Sequence, residues 1–320
     1  MQLDFTHILN RDPLPALLKS APPYIRLHLY ADVFEKPDDF SSMEDIGKQC
    51  LRSPEFQRLL RKQNDDGLWP PRRTFRNEQH QYGMQFFTQV LTLHHLLDLG
   101  GSKEISEIQK GIVALMKMQR EDGKFPLFYQ HQGYAHWVLM RYGLQGNPFL
   151  DRGLRWLLRR QRDDGGWLHI VQVPENQDKE THPSCIWTTC HVVWPLVYHN
   201  VYSRDEKVLR GVEYLLQKFL QPNCTNFFRP SSAWDYLYIG YDETGCFRGG
   251  TLKVLEIAVA AGYDLTNPVV KKAANWLRGQ QLQNGLFPAV AGRDTQGDFM
   301  VTVRTLNVLK YLYPETLVAS

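Results

Sequence analysis

The 320-residue chain carries little net charge: 37 Lys and Arg against 34 Asp and Glu leave +3 with neutral histidines. So even a balance gives no electrostatic pull toward nucleic acid, which is excluded as an expected partner. Long apolar runs are also missing. No uncharged stretch of 18 apolar residues occurs, so no membrane-spanning helix is expected. Cysteine is scarce and odd in number. Cys50, Cys185, Cys190, Cys224 and Cys246 form no regular framework, which argues against a disulfide scaffold and for free thiols in a reducing compartment. The opening Met1-Gln-Leu-Asp-Phe5 lacks a basic stretch followed by an apolar one, so no secretory leader is read and a cytoplasmic location is expected. Strand-like alternation is absent at any useful length. What is present is ordinary for a globular chain, 43% hydrophobic and 22% charged, with a rich 12% of aromatics that includes eight Trp.

The organising feature is a short repeat. Gln63-Asn-Asp-Asp-Gly-Leu-Trp69, Gln119-Arg-Glu-Asp-Gly-Lys-Phe125, Gln161-Arg-Asp-Asp-Gly-Gly-Trp167 and Gln281-Leu-Gln-Asn-Gly-Leu-Phe287 share the pattern Gln-x-x-[Asp/Asn]-Gly-x-aromatic. A worn copy starts at Gln217 and ends near Phe227 without the glycine, so the glutamines fall 56, 42, 56 and 64 residues apart. Recurrence at such intervals marks a repeat architecture. An apolar helix, such as the one containing Leu154-Arg-Trp-Leu-Leu158, runs into each Gln. The Asp/Asn-Gly pair is expected to stop that helix, since Gly adopts the left-handed backbone a helix end uses. The aromatic then folds back over the last turn, and the Gln side chain bonds exposed backbone groups. This is a structural staple rather than a catalytic motif.

These staples resemble those of the terpene cyclase and protein prenyltransferase β-subunit superfamily, with its squalene–hopene cyclase-like QW repeats, and they span Gln63 to Phe287. The resemblance implies an all-α fold: a single alpha/alpha barrel of about six inner and five to six outer helices. Residues 1–40 form an N-terminal lead and first helix packed on the barrel, and 41–320 form the barrel, one domain overall. Helices are read at about 14–34 with a break near Pro22-Pro23, from a cap at Ser42 through to Gln63, and at 79–99, 103–119, 130–144, 149–161, 184–200, 205–220, 242–262, 267–281 and 299–313. Those leading into staples carry Lys and Arg and suit an outer ring. The others are more continuously apolar and suit an inner one. The loops 168–183 and 221–241 are long enough to be functional or to cover one end of the barrel.

The resemblance implies an isoprenoid or other apolar substrate in a central cavity, but the family's chemistry does not carry over intact. Class II terpene cyclases protonate an alkene with an Asp-x-Asp-Asp acid, which is absent here. The nearest substitutes are Asp235, Asp242-Glu243 and Asp298. The prenyltransferase zinc set is absent as well: Asp242-x-x-x-Cys246 has the wrong spacing, and no third ligand follows in the helix after Asp298. No cofactor is therefore expected, and zinc stays open only through the local group His182, Cys185, Cys190 and His191.

Residues at the expected inner-helix starts include His80, His131, Tyr134, His136, His182, Cys185, Trp187, Asp242 and Asp298. Proton transfer is assigned to Asp242, His136 and His182. Substrate binding is assigned to Trp187, Trp234, Tyr238 and Tyr134, with Trp137, Trp194 and Tyr241 as further aromatics whose faces attract cationic centres. Arg141, Arg248 and Arg304, unusual charges on inner helices, are read either as structural ion pairs, for example with Glu256, or as a bidentate clamp on a diphosphate or carboxylate. The expected partner is a small apolar or prenyl-diphosphate-like ligand, with room for a peripheral membrane contact and a homo-oligomer. Two other readings compete: a non-catalytic lipid-binding module, favoured by the missing motifs, and a carbohydrate-active barrel, which would need paired carboxylates about 5–10 Å apart.

Overall fold

The computed structural model describes residues 2–34, 40–71, 73–170, 173, 175–221, 234–237, 250–293 and 295–318. These residues form an all-α protein: thirteen α-helices, a π-helix and a terminal 3-10 turn, with one pair of two-residue strands. The chain divides into two compact units, Met1–Gln49 with Leu215–Ser320, and Cys50–Tyr214. None of the described helices is long and apolar enough to cross a membrane.

The first unit begins with strand β1 (Gln2–Leu3), which pairs antiparallel with β2 (Leu317–Val318). Helix α1 spans Leu14–Ser20, α2 spans Pro23–His28, and a π-helix covers Leu29–Phe34. Later come α11 (Thr251–Ala260), α12 (Pro268–Arg278) and α13 (Phe299–Leu312). α11 lies beside α13, α12 packs on α11, and α2 with the π-helix packs on α13. Lys310 of α13 is buried, and its ammonium donates to the carbonyls of Asp32 and Val33, both at 3.0 Å. That closes otherwise unpaired carbonyls of the π-helix. Glu256 pairs with buried Lys253 one turn away at 2.5 Å.

The second unit contains α4 (Pro54–Arg61), α5 (Glu78–Asp98), α6 (Ser106–Lys117), α7 (Tyr129–Arg141), α8 (Pro148–Leu158), α9 (Ile186–Val197) and most of α10 (Glu206–Lys218). α5, α7 and α9 stand side by side, with α4 and α6 behind α5 and α8 behind α7. The single helix expected from Ser42 to Gln63 is two. α3 (Phe40–Arg52) starts before Ser42, which is therefore not its cap. Pro54 holds Ser53 extended (ψ 143), and the Ser53 hydroxyl caps α4 by accepting from the N–H of Phe56 at 3.3 Å.

The staples differ from expectation in one instructive way. The helices end at Arg61, Lys117, Leu158 and Arg278, before the glutamines. The glycines sit in the tight turns that follow, at φ between +83 and +96. There the N–H of Gly67, Gly123, Gly165 and Gly285 bonds the carbonyl three residues back. The Asp or Asn before each glycine accepts from the second backbone N–H after it, a local Asx bond. Each glutamine amide then makes two bonds. Gln63 donates to its own turn at Gly67 (3.0 Å) and to Glu107 in the first turn of α6 (2.7 Å). Gln119 does the same to Gly123 and Phe149 of α8, and Gln161 to Gly165 and Lys207 of α10. Gln281 bonds Gly285 and Arg11, shortly before α1. The staple is thus a stitch from one helix to the next of its row. The indoles of Trp69 and Trp167 fold back and donate to the carbonyls of Leu59 and Leu157, each at 2.8 Å.

The worn copy keeps part of this. Two residues after the end of α10 Leu220 takes the left-handed backbone (φ 55), one position before the place where the other copies have glycine. Phe227 lies outside the described residues. Trp234, placed by sequence in a substrate pocket, plays the fold-back part: its indole donates to the carbonyl of Gln221 at 3.0 Å, and its ring meets Phe219 edge-on.

Candidate functional site: the aromatic and histidine wall of α5, α7 and α9

α7 and α9 are the most buried helices of the second unit. Gln130 through Leu139 and all twelve residues of α9 are inaccessible or nearly so. Their polar side chains sort onto two faces. One face serves the staples. Gln89 of α5 accepts from the N–H of Trp69, Gln132 of α7 from that of Phe125, and Thr189 of α9 from that of Trp167, at 2.9–3.1 Å. Thr302 of α13 does the same for Phe287 in the first unit. These four side chains satisfy the backbone N–H groups of the staple aromatics.

His136 belongs to this staple face. Its Nδ1–H donates to the carbonyl of Gln132 at 2.6 Å, its ring meets Phe125 edge-on, and its Nε2 faces Gly153 of α8, where a methyl group would have no room. Burial pulls its pKa down to about 4, so the ring is neutral and has no solvent to trade protons with. His136, expected from the sequence to transfer protons, lies here as a packed core imidazole.

The opposite face carries a continuous set of rings. On α7 they are His131, Tyr134 and Trp137, spaced by three; on α9 they are Trp187, His191 and Trp194, spaced by four and three; α5 adds Phe87 and His94. The contacts run across all three helices. His131 meets Phe87 edge-on at 5.3 Å, and His94 meets Tyr134 at 5.3 Å and Trp137 at 5.1 Å. Tyr134 meets His191 at 6.4 Å, and Trp137 stacks on Trp194 at 4.0 Å.

Two polar clusters bracket the rings. Near the start of α7 the Gln130 amide donates to Nε2 of His169 at 2.8 Å, while Thr188 approaches Gln130 at 3.5 Å. Because the amide nitrogen only donates, His169 carries its proton on Nδ1, and burial lowers its pKa. Toward the end of α5, Nδ1 of His94 shares a short hydrogen bond with the Tyr134 hydroxyl, and its Nε2 lies 3.5 Å from Asp98. The Asp98 contact is an ion-pair approach and not a hydrogen bond; its charge favours the N–H on Nε2, the tautomer in which Nδ1 accepts and Tyr134 donates.

The remaining sequence candidates separate. Tyr134 and Trp187 are on the wall, and Trp187 gives its carbonyl to Nδ1 of His191 at 2.8 Å. Arg141 ends α7 in an exposed position, 5.7 Å from the Trp137 ring. Arg304 is half-buried on α13 in the first unit. His182 lies in the loop before α9, half-buried, with Nδ1 3.2 Å from Gln177. That loop is tied to the third staple. Arg162 donates to the carbonyls of Lys179, Glu180 and His182, and Asp164 accepts from the N–H and hydroxyl of Ser184. Burial pushes the Asp164 carboxyl up, but the bonds from Ser184 and Gly166 outweigh it and leave its pKa lowered.

Asp298 is spent as the cap of α13, accepting from Val301 at 2.9 Å, and so is unsuited to serve as an acid. Asp242, Tyr238, Tyr241, Arg248, Glu243 and Cys246 lie outside the described residues. Cys50, Cys185 and Cys190 are buried. Among the described residues no three His, Cys, Asp or Glu side chains gather as a metal site.

The sequence reading missed His94, Asp98, Gln130 and His169. His94 and Asp98 stand one helical turn apart, seven and eleven residues after Phe87, so a face count along α5 would have found them.

No family model matches the chain, and no curated protein matches it. Among solved structures it is similar to a protein from Actinoplanes (14% identity over 91% of this chain and 90% of that one, TM-score 0.46). It is similar to the type II terpene cyclase MstE from Scytonema (14%, 92% and 89%, TM-score 0.46) and to a polysaccharide lyase (13%, 93% and 92%, TM-score 0.48). Likenesses this distant carry no argument about chemistry, and the functional reading rests on the residues.

Proposed function

We propose that the chain is a squalene cyclase/prenyltransferase-like protein whose helices close into an alpha/alpha barrel, and that it takes an isoprenoid or similarly apolar ligand along the α5, α7 and α9 wall. One observation carries this reading: the three helices reserve one face for the staples and present the other as aligned rings, Tyr134, Trp137, Trp187, His191 and Trp194. Rings placed side by side offer a long apolar contact with few polar interruptions, which suits a flexible hydrocarbon chain. An uncharged polar end is accommodated by Gln130, His169 and Thr188, all neutral near pH 7. The ligand is therefore an alcohol, carbonyl compound or hydrocarbon in preference to a diphosphate, and catalysis on it is acid–base chemistry. Cytoplasmic residence belongs to the same proposal.

The test is direct. Titration with geranylgeraniol, squalene and geranylgeranyl diphosphate, followed by tryptophan fluorescence, is expected to give saturable quenching with the first two. Trp137→Ala should weaken binding by roughly 1–3 kcal/mol, about the worth of a buried ring. No quenching by any of the three, with no lipid in an organic extract of the purified protein, would sink the reading.

A second reading, a lipid-binding module without catalysis, is favoured by the use of Asp298 as a helix cap and the missing Asp-x-Asp-Asp acid. It predicts that extracted ligand is chemically unchanged after incubation.

A further inference from the structure

Asp98, His94 and Tyr134 stand in line on the wall, and apolar binding alone gives them no task. We propose that Tyr134 is the proton-transfer residue of this wall, with His94 and Asp98 as its relay, and that it acts on an apolar substrate carrying a carbonyl-activated C–H bond. The proposal rests on the reading that an apolar ligand lies along the wall.

The direction of the relay follows from the donors. Asp98 sits 3.5 Å from Nε2 of His94, not hydrogen-bonded to it but close enough for its charge to favour the proton on that nitrogen. Nδ1 is then a lone pair that accepts from the Tyr134 hydroxyl. In the forward step the substrate C–H bond breaks and its proton bonds to the Tyr134 oxygen. The proton that Tyr134 held moves to Nδ1 of His94, and the electron pair left on carbon delocalises into the carbonyl as an enolate. Asp98 stabilises the imidazolium so formed. Return of the proton to the same or a conjugated carbon restores every group, so exchange or isomerisation needs no oxidant or other reactant.

Base strength selects the substrate class. A phenol that passes its proton to an imidazole acts as a base no stronger than an imidazole. That is far too weak for an isolated alkene or alkane C–H, and adequate for one activated by a conjugated carbonyl. Its conjugate acid is in turn too weak to protonate an alkene, so the relay needs none of the carboxylic-acid motif that the chain lacks.

The surroundings fit a relay shielded from bulk water at its working end. Tyr134 is buried, with the edge of His191 from α9 on one side, while Asp98 at the other end is about a quarter exposed (23%). Among the described residues, the titratable and charged groups near the relay include Asp98 from α5, His191 from α9, and from the end of α7 Tyr142, bonded to the Leu93 carbonyl at 2.6 Å, and Arg141 over Trp137.

The experiment uses all-trans farnesal, an apolar aldehyde with conjugated, exchangeable γ-protons, with the full chain in deuterated buffer. Tryptophan fluorescence reads binding and mass spectrometry reads deuterium gained at the γ-carbons. Wild type is expected to bind and to exchange. Tyr134→Phe should bind within about twofold and lose about 10²–10⁴ of the exchange rate, the usual worth of a positioned proton carrier. Asp98→Asn, at the exposed end where folding is least at risk, should slow exchange at least about tenfold. It should also move the rising limb of the pH profile to lower pH, because the imidazole loses its carboxylate. Farnesal bound without exchange, an unshifted limb in Asp98→Asn, or Tyr134→Phe exchanging like wild type would overturn the relay and leave the wall as a binding surface. Failure of farnesal to bind would overturn the relay together with the reading it rests on.

Discussion

Gly133 is where α7 and α9 touch through backbone, and replacing it by alanine tests whether that approach sets the wall. A methyl group built there lies 2.7 Å from the carbonyl carbon of His191 and 3.0 Å from Cα of Val192, with the His191 oxygen closer still. Ordinary contact begins at 3.4 Å, so the two helices must part by at least 3.4 − 2.7 = 0.7 Å. Nothing flexible yields, because every neighbour is main chain. Overpacking of this kind costs about 1–3 kcal/mol, and backbone against backbone belongs at the upper end.

For a unit of this size each kcal/mol lowers the melting temperature by roughly 2–4 °C, so Gly133→Ala should fall by roughly 5–10 °C in thermal unfolding followed by circular dichroism. The tryptophan emission should shift as well, because Trp137 on α7 stacks on Trp194 of α9 and feels the same separation. Gly47 supplies the control. It lies within α3 with nothing inside 4 Å of the added carbon, so Gly47→Ala should be neutral or gain up to about 1 kcal/mol of helix propensity. Equal behaviour of the two variants would refute the close-approach argument.

The stitches and the buried imidazoles give further expectations. Gln281→Ala removes bonds to Gly285 and Arg11 and should cost about 1–3 kcal/mol in urea unfolding, with faster proteolysis before α1; an unchanged midpoint would show the stitch to be idle. Gly165→Ala places a methyl 2.9 Å from the Arg210 carbonyl on a backbone at φ +87, and should lose more than Gly146→Ala, whose φ of +82 is similar but whose added carbon meets nothing within 4 Å.

Acid should destabilise through His136. Unfolded, it takes a proton below about 6.5, while folded it resists to about 4, so its contribution is full above the unfolded value, fades as pH falls through that window, and is gone below it. The gap of 6.5 − 4 = 2.5 pH units is worth about 3 kcal/mol, and His169 and His199 shift in the same direction. His136→Leu should flatten the fall in melting temperature between pH 7 and 4.5; an unchanged slope would place the proton uptake elsewhere.

The fold class was readable because the staple is local chemistry repeated. Gln161, Asp164, Gly165 and Trp167 each do something a seven-residue window can express: an amide to bond carbonyls, an Asx bond, a left-handed backbone and a ring to fold back. The partner of the glutamine was not readable, since Lys207 lies 46 residues further on, beyond the long loop and α9. Helix ends were misjudged for the same reason. The glycine looked like a helix stop, yet the helices end six or seven residues before it, and the turn uses the glycine for itself.

Site residues were harder because a residue type does not declare its face. His136 and Tyr134 are two apart on α7, a separation of about 200° around a helix, so one must look at the staples and the other away from them. Sequence gave no means to choose, and the histidine looked the better catalyst. Its Nδ1 is bound to Gln132 and its far side is closed by Gly153, which leaves it neutral and enclosed. Tyr134, read only as a pocket lining, gains its chemistry from His94, which lies 40 residues earlier on a different helix. The face of α7 is set by Gln132, which must reach the N–H of Phe125, and by Gly133, which must admit α9. Once those two are placed, Tyr134 has no direction left except toward His94 and His191. The reactivity of the wall is therefore a consequence of how Gln132 and Gly133 pack, and a substitution at either should disturb it without touching a ligand.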